Sequence, residues 1–109
     1  MQKKNKTHIW SAIEQVNLIL YIIDSSKYNY QDIESDINKI SEVNKSIILV
    51  FNKIDLIENE KILFYINELK KFNFIESFFN ISAKYNKGIT NLSNYLRTKS
   101  ITQFTLPGT

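Results

Sequence analysis

The sequence is poor in the residues that cross-link a chain or mark a nucleic-acid surface. It has no cysteine, and Arg97 is its single arginine. Without cysteine, a disulfide framework and a thiolate metal site are both excluded. The formal net charge is only +3 and the basic residues are almost all lysine, so the sequence favours a charged, solvated exterior over a dedicated nucleic-acid surface.

A long hydrophobic run is also missing. The longest, Val16–Ile23, is interrupted by Asn17 and closed by Asp24, far short of the roughly 20 residues that cross a bilayer. The basic start, residues 1–6, imitates the charged region of a signal peptide, but Glu14 interrupts the apolar segment after it and no small-residue cleavage site appears. We therefore expect a soluble cytoplasmic protein without a membrane span.

The sequence does contain an alternation of strand-like and helix-like patterns. The strand-like runs are continuous and apolar, which is typical of strands buried on both faces. These runs are Leu18–Ile23, Ser46–Phe51 and Phe78–Ile81. Each is followed by a stripe of apolar residues at spacings of three and four, which predicts a helix. The stripes cover residues 30–43, 60–72 and 89–99.

This alternation predicts an α/β fold with three parallel strands and right-handed crossovers. The first two helices should share one face of the sheet, and the third could cover the other. Residues 1–100 are expected to form one domain, followed by an irregular tail at 101–109. Thr7–Gln15 is predicted to be the end of a further helix, and His8 to be a surface or helix-end residue. Four phenylalanines are interpreted as core rather than as a stacking platform for bases: Phe72, Phe74, Phe78 and Phe79.

Polar residues lie where the predicted strands end. Asn52-Lys53-Ile54-Asp55 follows the second strand, and Ser82-Ala83-Lys84 follows the third. Asp24, after the first strand, is interpreted as a turn-forming N-cap. Because ligands of open α/β sheets bind beyond the carboxyl ends of the strands, these loops are the first candidates for a binding site.

The residue types in these loops suit guanine. A carboxylate at Asp55 can accept from both N1–H and the N2 amino group, a paired contact that adenine cannot offer and that is worth about 1.5–3 kcal/mol. Asn52 can reach N7 while tying adjacent loops together, and the aliphatic stem of Lys53 can lie against the base. A backbone N–H at Ala83 could donate to O6, where adenine carries an amino group.

The Asn-Lys-x-Asp string is not specific by itself. In a chain this rich in Asn and Lys it arises by chance in about one sequence in twenty. Its position after an apolar strand, with Ser-Ala-Lys after the next one, makes a joint accident rare, at about one in twenty or less after allowing for hindsight. An unrelated flavodoxin-like domain that binds no nucleotide stays open as an alternative.

The same residues resemble a known family. Trp10–Ile13, Val16–Ser25, Ile48–Leu56 and Ile81–Lys84 resemble, in order, the second half of the domain of an Era-type bacterial GTPase, in the translation-factor-class superfamily. The resemblance covers about residues 8–98 and implies a partial P-loop-GTPase-like three-layer fold with GTP or GDP as ligand. It also implies a role in small-subunit ribosome assembly, with ribosomal RNA as a partner. The guanine-binding residues that it implies are Asn52, Lys53 and Asp55, with Ser82, Ala83 and Lys84 closing over the base.

Parts of that family's pattern are absent from these 109 residues. They contain no glycine-rich loop ending in Gly-Lys-Ser/Thr, no Asp-x-x-Gly motif and no Gly-x-x-Gly clamp of a KH domain. Since the first two hold phosphates and magnesium, we expect no catalytic residue, no metal ligand and no independent hydrolysis. Nucleotide binding should be weak, with a dissociation constant no better than high micromolar, and Mg²⁺ should bind only if a missing half is supplied.

The resemblance also leaves one sheet edge bare, because in the family the first strand pairs with the strand that leads into the phosphate loop. An apolar edge at Leu18–Ile23 invites association unless Thr7–Gln15 or another chain covers it. The chain could therefore be an interaction module that completes its sheet with a separately encoded N-terminal half, a homodimer, or the non-functional product of a degraded gene.

Overall fold

The apolar runs of the sequence form one sheet in the computed structural model, which describes residues 8–13, 18–42, 46–99 and 101, the first of these ranges by its backbone alone. The described residues give a sheet of 4 strands in the order β1-β2-β3-β4. The strands are β1 (His8–Ile13), β2 (Leu18–Asp24), β3 (Ser46–Asn52) and β4 (Ile75–Asn80). The pairs β2–β3 and β3–β4 are parallel, which confirms the predicted α/β fold with three parallel strands.

The third predicted strand differs from β4 in its bounds. The apolar run predicted a strand from Phe78, whereas β4 begins at Ile75 and ends at Asn80. Its first residues include the exposed Glu76. Since β4 has a partner on one side only within the described sheet, it tolerates polar side chains that a central strand would bury, and an apolar run alone underestimates its length.

The predicted helix end at Thr7–Gln15 is wrong where the structure describes it. His8–Ile13 forms β1, which runs antiparallel to β2 in a register from His8↔Ile23 to Ile13↔Leu18. The unpaired backbone groups of β2 need hydrogen-bond partners, and this requirement overrides the local helical pattern. The edge of β2 that was expected to be bare is therefore covered, and His8 is the first residue of a strand rather than a helix-end residue.

Helices cover both faces of the sheet, as predicted. They are α1 (Tyr30–Ser41), α2 (Asn59–Leu69) and α3 (Ile89–Thr98). Helix α1 starts at a side-chain cap, in which the Asp32 N–H donates to Asn29 Oδ1 at 3.0 Å. On one face, the apolar residues of α1 and α2 pack against alternate residues of β2 and β3. On the other face, α3 packs against the intervening residues.

The period-two alternation of the strands explains why both faces are apolar. Ile19 and Tyr21 of β2 belong to the cluster under α1 and α2, whereas Leu18 and Leu20 belong to the cluster under α3. Each fully buried side chain of this size contributes about 1.5–3 kcal/mol. Continuous apolar runs are therefore required in both strands.

The aromatic and C-terminal residues complete these two clusters. Phe72, Phe74 and Phe78 pack against the α1 and α2 side and Phe79 against the α3 side, so their interpretation as core residues is confirmed. Ile101 is buried in the α3 cluster, and its N–H donates to the Leu96 carbonyl at 2.9 Å. The remainder of the predicted tail, residues 102–109, lies outside the described residues.

A glycine directly before α3 allows the chain to pass very close to the end of β4. Gly88 has φ +75°, and a β carbon there would lie 2.4 Å from the Asn80 carbonyl oxygen. Only glycine fits this close approach without strain. The loop between Ser82 and Lys87 is thereby held over the carboxyl end of the sheet. Among the described helices, none is long and apolar enough to cross a membrane.

Candidate functional site

The carboxyl ends of the parallel strands meet at one edge of the sheet. Asp24 at the end of β2 is in register with Asn52 at the end of β3. Beyond β4, the Ile81 N–H donates to the Phe51 carbonyl at 2.7 Å, and the Ile54 N–H donates to the Ile81 carbonyl at 3.2 Å. These bonds hold together two segments, residues 52–56 and 81–87, which we call the site loops.

Asn52 joins the site loops through its side chain. Its Oδ1 accepts from the Lys53 N–H at 2.7 Å and from the Ala83 N–H at 3.1 Å. The residue is 6% exposed, so the amide oxygen satisfies backbone donors that water does not readily reach. Through these two bonds the Asn52 side chain ties the site loops together.

Ser82 orients the Asp55 carboxylate. The wholly buried Ser82 donates from Oγ to Asp55 Oδ1 at 2.7 Å, and the same Oγ accepts from the Tyr85 N–H at 3.3 Å. Asp55 itself is exposed, and no donor among the described residues binds its Oδ2. The carboxylate is thus fixed on one oxygen and open on the other. Ser82 therefore positions the acid, and its expected place over a base stays a prediction.

The loop from Ser82 to Lys87 is closed by backbone bonds. Ser82 and Lys87 form an antiparallel bridge, with N–H to carbonyl distances of 3.0 and 2.9 Å. The Asn86 N–H donates to the Ala83 carbonyl at 3.3 Å. Within the part of the chain that the structure describes, the Lys84 N–H is the amide of this loop that has no acceptor. The Ala83 N–H, which was expected to be available for O6, is occupied by Asn52 in this structure.

Lys53 links the loop after β3 to the end of β2. Its Nζ lies 3.2 Å from Asp24 Oδ2. Asp24 Oδ1 accepts from Ser26 N at 3.0 Å and Ser26 Oγ at 2.6 Å, which confirms Asp24 as the cap of the short 3-10 helix Ser25–Lys27. Partial burial alone would raise the pKa of Asp24, but the bonds from Ser26 and Lys53 outweigh it and hold the pKa below its ordinary value. The sequence indicated the cap but not the ion pair.

The described residues hold no cluster of metal-ligating side chains. They contain no group of three or more His, Cys, Asp or Glu side chains placed to hold a metal ion. Both oxygens of Asp24 are already bonded, to Ser26 and Lys53. We therefore assign no role to a metal ion among these residues.

Comparison with known proteins identifies the family of the chain. The family model PduV-EutP, described as "Ethanolamine utilisation - propanediol utilisation", matches residues 2–98. The chain belongs to the PduV-EutP family. Since almost all of this PduV-EutP chain is matched, the match includes all three parallel strands and both site loops.

The PduV-EutP chain is also similar to GTPase Era from several bacteria, which confirms the resemblance seen in the sequence. GTPase Era of Ehrlichia ruminantium (strain Gardel) is 32% identical over 92 residues, which cover 82% of this chain and 30% of that protein. GTPase Era of Pasteurella multocida (strain Pm70) is 38% identical over 89 residues, which cover 80% of this chain and 28% of that protein. The chain therefore spans less than a third of the length of these relatives.

Proposed function

We propose that the chain binds the guanine base of GTP or GDP between the two site loops. One observation carries the proposal: Ser82 fixes one oxygen of Asp55 at 2.7 Å and leaves the other oxygen open in an exposed position. Similarity to GTPase Era and membership of the PduV-EutP family support a GTP-binding family. The unrelated flavodoxin-like alternative has no comparable support.

The chemistry of the site suits guanine over adenine. The Asp55 carboxylate accepts from N1–H and the N2 amino group, while its Oδ1 keeps the bond from Ser82, because each carboxylate oxygen has two lone pairs. The Lys84 N–H is the backbone donor for O6, in place of the occupied Ala83 N–H. The aliphatic stem of Lys53 packs against the base, and Asn52 maintains the spacing of the loops.

Binding should be weak and hydrolysis absent for these residues alone. Base contacts supply only part of a nucleotide's affinity, and the 109 residues contain no phosphate-loop motif. We therefore expect a dissociation constant of about 0.1 mM or weaker. Mg²⁺ and GTP hydrolysis would require a phosphate-binding half, whether covalently joined or separate. By resemblance to the family, we also propose a cytoplasmic location and a role in small-subunit ribosome assembly.

Titration of the ¹⁵N-labelled chain with GDP, ADP and IDP, followed by amide chemical shifts, tests the proposal. GDP should shift the amides of both site loops and bind at least about tenfold more tightly than ADP, the discrimination expected of one paired charged contact. IDP, which lacks the N2 amino group, should bind more weakly than GDP.

Two acid-to-amide substitutions, one in the site and one outside it, provide a test and its matched control. Asp55→Asn should lose the preference for GDP and gain one for XDP, whose C2 carbonyl accepts from the new amide. Glu60→Gln makes the same chemical change on the exposed first turn of α2 and should leave binding unchanged. Equal affinity of the unmodified chain for GDP and ADP would refute the proposal.

Completion of the sheet by a second chain is the competing function. In this structure β1 already pairs along β2, so a separate half could join that edge only by displacing β1. Gel filtration of the chain alone and after co-expression with a phosphate-loop half would detect such an exchange. A stable monomer in both cases excludes it.

A further inference from the structure

Lys53 is constrained at its backbone and at its ammonium group. The backbone adopts the left-handed conformation, with φ 61° and ψ 36°, which costs a residue with a β carbon about 1–2 kcal/mol. Its N–H is bound by Asn52 Oδ1 at 2.7 Å, and its Nζ lies 3.2 Å from Asp24 Oδ2. A strained conformation that is held from both sides points to a required position for this side chain.

The anchor for the ammonium is itself rigid. Asp24 Oδ1 takes two hydrogen bonds from Ser26, so the carboxylate cannot turn to follow a moving lysine. The Asp24 side chain is 15% exposed and that of Lys53 is 46% exposed. The carboxylate side chain is therefore the more buried partner of the ion pair, and the lysine side chain is the more exposed one.

The sheet register sets the direction of the lysine stem. Asp24 and Asn52 are paired on adjacent strands, and Lys53 follows Asn52 directly. An ion pair from Lys53 to Asp24 must therefore carry the four-carbon stem from the end of β3 across to the end of β2. The stem therefore runs across the strand ends and starts from the same loop that carries Asp55.

We propose that Asp24 is a positioning residue of the guanine site, which tethers the Lys53 ammonium so that the lysine stem forms the surface on which the purine face packs. This inference rests on the proposed guanine binding and extends the site to a third strand end. Because Asp24 neutralises the ammonium, Lys53 serves the neutral ring of the ligand rather than its phosphates. Untethered, the stem would sample many rotamers and lose part of its contact with the base.

A double-mutant cycle tests the tether. GDP affinity is measured by amide shifts for the unmodified chain, Asp24→Asn, Lys53→Met and the double variant. Asp24→Asn should weaken GDP binding about two- to fivefold, the range of a partly exposed ion pair, and the double variant should bind no more weakly than Lys53→Met alone. Asp24→Glu keeps the charge and should restore part of the affinity. Glu76→Gln, which breaks the 2.5 Å pair with Lys99 beside α3, is the control and should have no effect.

The outcomes separate the tether from the binding function. The tether is overturned if the losses of GDP affinity in the two single variants multiply in the double variant, or if Asp24→Asn loses no affinity. The binding proposal survives either result as long as the unmodified chain prefers GDP to ADP. If the unmodified chain shows no preference for GDP, the binding proposal and the tether both fall. An Asp24→Asn variant that loses its dispersed amide spectrum shows that Asp24 serves the fold rather than the ligand, which also overturns the tether.

Discussion

Replacing Gly88 by alanine tests whether the close approach of β4 and α3 is essential. The new β carbon would meet the Asn80 carbonyl oxygen at 2.4 Å and Ile81 Cγ2 at 3.1 Å, and contacts under 3.0 Å are essentially never seen for real β carbons. The left-handed backbone at φ +75° adds about 1–2 kcal/mol for a residue with a side chain. Displacing the packed backbone costs about 1–3 kcal/mol more, so we expect a total loss of about 2–5 kcal/mol.

Urea unfolding followed by circular dichroism at 222 nm measures this loss, because the helical signal reports on α1, α2 and α3 together. Asn86, with φ 56°, is the matched control, since it shares the left-handed backbone two residues earlier and already has a side chain. Asn86→Gly should change the free energy of unfolding by less than about 1 kcal/mol. A loss below about 1 kcal/mol for Gly88→Ala, or an equal loss in both variants, would refute the reasoning.

Three further predictions concern the core and the site. Asn52→Ala leaves two backbone N–H groups without their acceptor and should lower the free energy of unfolding by about 2–4 kcal/mol in the same urea assay. Ile37→Ala empties a fully buried position and should cost about 2–5 kcal/mol, whereas Leu63→Ala at a site 61% exposed should cost under about 0.5 kcal/mol. Folding lowers the pKa of Asp24, so its contribution to the free energy of unfolding is present above its ordinary pKa of 3.8 and is lost as the pH falls through its pKa in the folded protein. The stability of Asp24→Asn in acid should therefore depend less steeply on pH below about 4 than that of the unmodified chain.

The parallel strands could be predicted because burial on both faces leaves a clear sign in the sequence. Every residue from Leu18 to Ile23 is apolar or aromatic, and each is buried. The same logic fails at the edges of the sheet. Strand β1 is specified by the unpaired edge of β2 rather than by its own pattern, and β4 includes the exposed Glu76.

The sequence was enough to predict where the site residues lie, but not which hydrogen bonds and ion pairs they form. The ends of parallel strands must meet, so the proximity of Asn52 and Ala83 follows from topology and is observed as a 3.1 Å hydrogen bond. The Lys53 to Asp24 ion pair depends on a left-handed backbone and on the rotamers of a long side chain, neither of which a sequence pattern specifies. For the same reason, the occupation of the Ala83 N–H by Asn52 could not be predicted.

The antiparallel pairing of β1 with β2 has a consequence for the order of folding. These strands are separated only by residues 14–17, so they can pair as a local hairpin in about 1–10 μs. The parallel pairs β2–β3 and β3–β4 each require a long crossover to close first, which is slower. We expect the hairpin to form early and to cover one edge of the apolar strand β2 before the rest of the sheet has been synthesised.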